Sequence, residues 1–408
     1  MPRRIPKSLL FAFLCAIILP VTNGVLAQDS VTELHKTLRE KGSFNEFDFA
    51  ALQRGQTVVK LLPVQDKSEV AVSGLVSLQV PAEVFLQSFR DSMLRRSNSA
   101  ILEIGSFGGQ PTLDDLKDLT IDTRDIEDLK KCVVGNCLMK LSASMIERIQ
   151  KEINWETADY RAQATHLLKL MLLDYVRDYL ARGDVALIEY NDKAKAVRLA
   201  AEQSALKSSS IYITDGPANS LQYPKGFSQP NLVAIENAIV WSKVKFGLKP
   251  VITFNHITIY RNEKKTAPQI LIVSKQIYAN HYFDSSLALT AFICIPGANS
   301  ASYLLYENRS RADGLGGPFS KIKRGIVEEK AVAGLEAILA QSKVNLNARS
   351  SSRFESAPPN ANEGKRNWTR WTSGAIYLFF WMFLITAFAA FFVLGNYDWK
   401  GVSKGAHN

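Results

Sequence analysis

The sequence predicts an α+β body in which an antiparallel sheet leads into one long helix. A large helical insertion interrupts the body, and a single C-terminal transmembrane helix follows it. Three observations carry this. Between residues 249 and 343, four strand-like runs follow one another with hairpin-length links and end in an amphipathic helix. From about 98 to 240, apolar residues recur mostly at three- and four-residue intervals. Residues 374–394 form 21 consecutive positions without a charge. A chain of 408 residues, 47% hydrophobic and 22% charged, has ample length for a core and excludes wholesale disorder. Four cysteines are too few for a disulfide scaffold.

The N-terminus carries Arg3, Arg4 and Lys7, then an apolar run over 9–21, then Val25 and Ala27 before Gln28. This is the layout of a secretory signal peptide over residues 1–27, which would export the body, residues 28–344. The competing reading, an uncleaved N-terminal anchor, exports the body equally. Cys15 lies within the apolar run and belongs to the signal segment.

Within the body, 58–62 and 70–80 are rich in Val and Leu and read as strands. Pro81 then pre-sets the first turn of a helix. The middle, about 98–240, reads as mostly helical, with periodic stretches over 142–155, 162–182 and 193–206. His166 lies on the second of these with no ligand partner four residues away. The acidic run Asp114, Asp115, Asp118, Asp122, Asp125, Glu127 and Asp128 lacks the alternating carboxylates and glycine turn of a calcium loop, and reads as a solvated face. Cys132 and Cys137 flank Val-Val-Gly-Asn, a turn able to bring them within bridging distance; in an exported protein they are expected to form a disulfide.

The C-terminal strands are 251–260, 270–283, 287–295 and 302–307, followed by a helix over about 318–343 with Phe319, Ile322, Ile326, Leu335, Ile338 and Leu339 on one side. Leu78, Val80, Pro81, Glu83, Val84, Phe85 and Asp91 at the opening, together with the four-strand meander and long helix at the end, resemble the two ends of START-like (helix-grip, polyketide cyclase/Bet v 1-type) domains. The resemblance covers about a third of the chain and leaves the middle unassigned. It implies a curved sheet gripping the C-terminal helix around an apolar ligand cavity.

Alternation puts His256 on a face with Ile252, Phe254 and Tyr260, and puts Lys275 and His281 on one with Leu271, Val273, Ile277 and Phe283. A polar group on an apolar face is costly unless partnered. Arg309, Arg311 and Asp313 come directly after the fourth strand. These five residues, His256, Lys275, His281, Arg309 and Arg311, are candidates for the polar end of a ligand cavity. The structural alternative pairs the arginines with Asp284, Glu307 or Asp313 and gives each histidine a backbone partner. The Gly-rich stretch at 314–317 lacks both the Walker Lys-Ser/Thr and the Rossmann spacing. Cys294, in an apolar strand, reads as a small core residue. No metal, cofactor or catalytic motif is expected.

Residues 345–372, rich in Ser, Asn, Pro and Gly, read as a flexible tether. The span over 373–395 has Trp368 and Trp371 before it, Tyr397 and Trp399 after it, and leaves a short cytoplasmic tail, 396–408. The net charge of +10 belongs mostly to membrane-bordering segments: three charges to the signal region, four to residues 342–372 and one to the tail, leaving +2 for residues 28–341. Charge therefore points to a membrane and not to nucleic acid. The leading expectation is a membrane-anchored exported protein, with a periplasmic or extracellular body that binds a lipid-like or other apolar small molecule. A non-enzymatic partner of another envelope protein is the alternative. A hydrolase or cyclase comes third.

Overall fold

The computed structural model describes residues 43–355 apart from 95–99, 211–231, 263–269, 296–300 and 316–319, together with Thr32, His35, Lys36 and 38–40. The expected signal peptide, membrane span and cytoplasmic tail lie outside the described residues. Among those described, no helix is long and apolar enough to cross a membrane.

The frame is an α+β arrangement around one eight-stranded antiparallel sheet. In chain order come α1 (Glu46–Gln53), β1 (Val58–Leu61), β2 (Glu69–Gln79), α2 (Ala82–Met93) and β3 (Ile101–Ser106). A helical layer follows with α3 (Thr123–Leu129), α4 (Ala143–Glu152) and α5 (Tyr160–Arg182), the small β4–β5 pair (Glu189–Tyr190, Val197–Arg198), and α6 (Leu199–Ser209). The chain then returns to the sheet through β6 (Leu232–Val244), β7 (Val251–Asn262), β8 (Ile270–Ala279), β9 (Phe283–Cys294) and β10 (Ala301–Ala312), and closes with α7 (Ser320–Glu355). Strand order is β1-β2-β10-β9-β8-β7-β6-β3, so the first long strand pairs with the last.

Both faces of the sheet are covered, which explains why strands such as β2 read as nearly continuous apolar runs. On one face, called inner here, Val72, Val76, Ile257, Ile272 and Phe292 pack with Phe85 and Phe89 of α2 and Leu335 and Leu339 of α7. On the outer face, Trp241, Phe254 and Tyr278 meet α3–α5, while Leu75, Leu271, Leu289 and Leu305 meet α1 and α6. Gly74 lets α7 approach β2 closely. The 23-residue α5 stops at Gly183, whose φ of +64° ends the helix as its N–H bonds the Tyr179 carbonyl.

Several boundaries differ from the sequence reading. The strand expected over 270–283 ends at Ala279, so His281 lies in a turn and Phe283 opens β9 on the inner face, away from the side of Lys275. The expected insertion begins and ends in sheet: β3 pairs with β6 at the edge, leaving the helices between them. The mixed polarity of β6 and its register shift at Ala234/Glu236 break the alternation that marks a strand. The last helix runs to Glu355, so residues 345–355 of the expected tether are helical. Leu346 and Ser350 are buried there, and Arg349 pairs with Asp91 of α2 at 3.2 Å. Finally, β10 extends to Ala312 and takes Arg309 and Arg311 into the sheet.

A Cβ at position 74 would stand 2.4 Å from a terminal methyl carbon of Leu339 and 3.1 Å from one of Leu335, both fully buried. Gly74→Ala is expected to lower stability by about 1–3 kcal/mol, read as a shifted denaturation midpoint with an unchanged slope.

Candidate functional site

The five residues singled out from the sequence all lie on the outer side, beneath or beside the helical layer. They form three separate clusters rather than one polar end of a cavity. Arg309, 2% exposed, donates to Glu307 and to Glu69, both at 2.7 Å. Arg311 bridges to Glu202 of α6 at 2.8 Å and approaches the same Glu69. Ser210, just past α6, donates to the remaining Glu307 oxygen at 2.8 Å.

His256 and Lys275 are cross-strand neighbours on β7 and β8. Lys275 pairs with Asp184, which Lys207 also holds at 2.9 Å, and its ammonium lies 5.0 Å from the Tyr179 ring centre. The Tyr179 hydroxyl sits 2.7 Å from His256 Nδ1, and Asn237 Oδ1 lies 3.1 Å from Nε2. Burial, reinforced by the Lys275 charge, pushes His256 down to about 4. Burial also lowers Lys275, against the pull of Asp184.

His281, in the β8–β9 turn, stands 3.0 Å from Asp125 of α3. Burial works to raise Asp125, but hydrogen bonds from His281 and Lys249 hold it below the usual carboxylate range. The acidic run is therefore not wholly a solvated face. At the start of β9 Asp284, with Asp313 beyond β10, meets Lys140 of the helical layer at 2.7 and 2.9 Å. Lys140 is 2% exposed. Burial and the nearby Asp313 raise Asp284 despite that lysine. Removing one member of such a buried pair typically costs about 3–5 kcal/mol, because the other charge is left without a partner. Of the arginine partners expected, Glu307 is met by Arg309 while Asp284 and Asp313 pair with Lys140 instead, and both histidines meet side chains instead of backbone groups. Cys132 and Cys137 lie at disulfide distance, their Cα atoms 4.4 Å apart, across the expected turn.

The inner face carries a feature the sequence reading missed. Register and alternation put Ser242 (β6), Thr253 and Asn255 (β7), Ser274 and Gln276 (β8), Ser286 (β9), and Asn308 and Ser310 (β10) side by side toward one end of the sheet. All eight are uncharged hydrogen-bonding side chains. Some satisfy one another: Ser310 Oγ lies 2.7 Å from Ser286 Oγ and 3.0 Å from Asn308 Oδ1, and Ser242 and Thr253 hydroxyls are 3.0 Å apart. Others do not. Ser274 Oγ and Gln276 Nε2 are buried without a partner among the described residues. An unmade hydrogen bond of this kind costs about 1–3 kcal/mol. Thr253, Asn255 and Ser286 remain partly accessible, so the band is open along part of its length. Beyond it the same face is apolar, with Ile257, Ile259, Ile270, Ile272 and Phe292, and Phe85 stacks on Phe292 at 4.7 Å.

Comparison with known proteins adds no relative: no family model, no curated protein and no solved structure matches the chain.

His256 should remain neutral well below the usual histidine range. As pH falls from about 6.5 toward 4, the unfolded chain takes up a proton that the native site refuses, so this contribution to stability is complete above 6.5 and lost by 4. Denaturation at pH 7 and pH 4.5, compared between the native chain and His256→Asn, should show the variant losing less on acidification, by up to about 3 kcal/mol.

Proposed function

We propose that the body binds an amphipathic, lipid-like molecule between the inner face of the sheet and α7, and that it works without catalysis. The observation that carries this is the pairing of an apolar inner face with a band of neutral polar side chains, two of which have a buried polar atom without a partner among the described residues. Buried polar atoms without partners call for an occupant that supplies them. The strand order supports the reading as well. A first long strand leads into a helix and pairs with the last strand, which leads into the long C-terminal helix, consistent with the START-like resemblance. The ligand-contacting role moves from His256, Lys275, His281, Arg309 and Arg311 to the opposite face, because those five have partners within the chain.

The membrane-anchored, exported setting rests on the sequence over residues 1–27 and 374–394, and places the body beside a source of such ligands. One observation favours a second reading, docking on another envelope protein. Val133 and Val134, in the turn between Cys132 and Cys137, and Leu138 just after it are 53, 47 and 69% exposed. Apolar side chains held out in this way suit a contact surface.

Purified residues 28–355, extracted with organic solvent, should release close to one lipid-like molecule per chain by mass spectrometry. A well-folded body that releases none would contradict the ligand reading and favour docking.

A further inference from the structure

Resting on the ligand reading, we infer that the polar group held by the inner band is uncharged: a hydroxyl, ester or amide, and not a phosphate or carboxylate. The eight side chains of the band carry no charge. Strand alternation sends the charged residues of these same strand segments, Lys243, Lys275, Glu307, Arg309 and Arg311, to the outer side, where Glu103, Asp184, Ser210, Glu69 and Glu202 engage them. An anionic headgroup brought against the band would lose its hydration and meet no countercharge from it, whereas a neutral headgroup needs only the dipoles and hydroxyls present. The vacant Gln276 Nε2 is a donor and Ser274 Oγ can donate or accept, which together match a carbonyl or hydroxyl.

The placement of the band gives the ligand a direction. The polar residues fall at the β6–β7 and β8–β9 hairpin end of the sheet; at the same end Arg324, in the first turns of α7, donates to the Lys67 carbonyl just before β2. The other end of α7 lies against β2 and α2, where Asn347 Oδ1 accepts from Gln79 N at 3.1 Å and Arg349 meets Asp91. With about 1.5 Å per residue, the 36 residues of α7 put its two ends roughly 50 Å apart. The apolar part of the inner face thus lies toward the end from which the chain continues to residues 374–394. The neutral group of the ligand lies away from it.

The test uses the full-length chain in detergent, equilibrated with an equimolar mixture of dioleoylglycerol and dioleoylphosphatidylglycerol, then washed and extracted. The neutral lipid should be retained roughly tenfold over the anionic one. Gln276→Leu should lower its retention by roughly tenfold with no loss of melting temperature, because the variant removes an unpartnered amide. Should that variant not fold, Ser274→Ala is read in the same way, with a smaller loss. Equal or greater retention of dioleoylphosphatidylglycerol, or indifference to both substitutions, overturns the uncharged assignment while leaving the ligand reading intact. Retention of neither lipid, by a folded chain, overturns both.

Discussion

Strand alternation places Lys275, Glu307, Arg309 and Arg311 on a face of the sheet that a helical layer then covers, and that burial forces each charge to find its partner inside the chain. The helical layer supplies Asp184 after α5 to Lys275 and Glu202 of α6 to Arg311, while Arg309 finds Glu307 and Glu69 within the sheet; Asp125 in α3 and Lys140 between α3 and α4 pair in the same way with His281 and with Asp284. Such pairs contribute little net stability when compared with well-packed apolar residues. Their effect is to fix where the layer sits, since any shift would strand a charge. Neutral contacts hold the same register, among them Tyr175, whose hydroxyl donates to the Ile277 carbonyl at 2.6 Å, and Gln203, which donates to the Gln276 carbonyl at 2.8 Å.

With the charges of Lys275, Glu307, Arg309 and Arg311 paired on the outer side, the polar band of the inner side is free of that demand; Arg261 and Arg349 pair with Glu83 and Asp91 of α2 at the other end. Its apolar half packs on α2 and α7 like an ordinary core, and its other half is lined by hydroxyls and amides that only partly satisfy one another. The two faces therefore divide the work: one fixes the helical layer, and the other joins apolar walls to a band of neutral hydrogen-bonding groups, of which Ser274 Oγ and Gln276 Nε2 have no partner among the described residues. Gly74 belongs to the same division, because it lets α7 lie close on β2 at the apolar end.

Much of this was legible in the sequence. The Val-rich strands, the helix after Pro81, α5, the C-terminal meander and the Cys132–Cys137 turn all follow from local pattern. Alternation also grouped His256 and Lys275 correctly with apolar neighbours such as Phe254 and Leu271. It could not tell which layer those neighbours would meet, since both faces are apolar and parity has no sign. The polar band was hidden for a related reason. Ser274 or Asn255 alone looks like a solvent-facing strand position, and only the register across five strands joins them. Burial of Asp125 depended on Lys249 and His281, more than 100 positions away, which no local window contains.

Hydrogen–deuterium exchange on the chain before and after lipid extraction tests this division directly. Loss of the ligand should raise exchange in the inner-face strands β7 and β8 and along residues 320–340 of α7, while α4 and α5, held by the outer-face pairs, keep their protection. A change concentrated in the helical layer, with α7 and the band unaltered, would contradict the account.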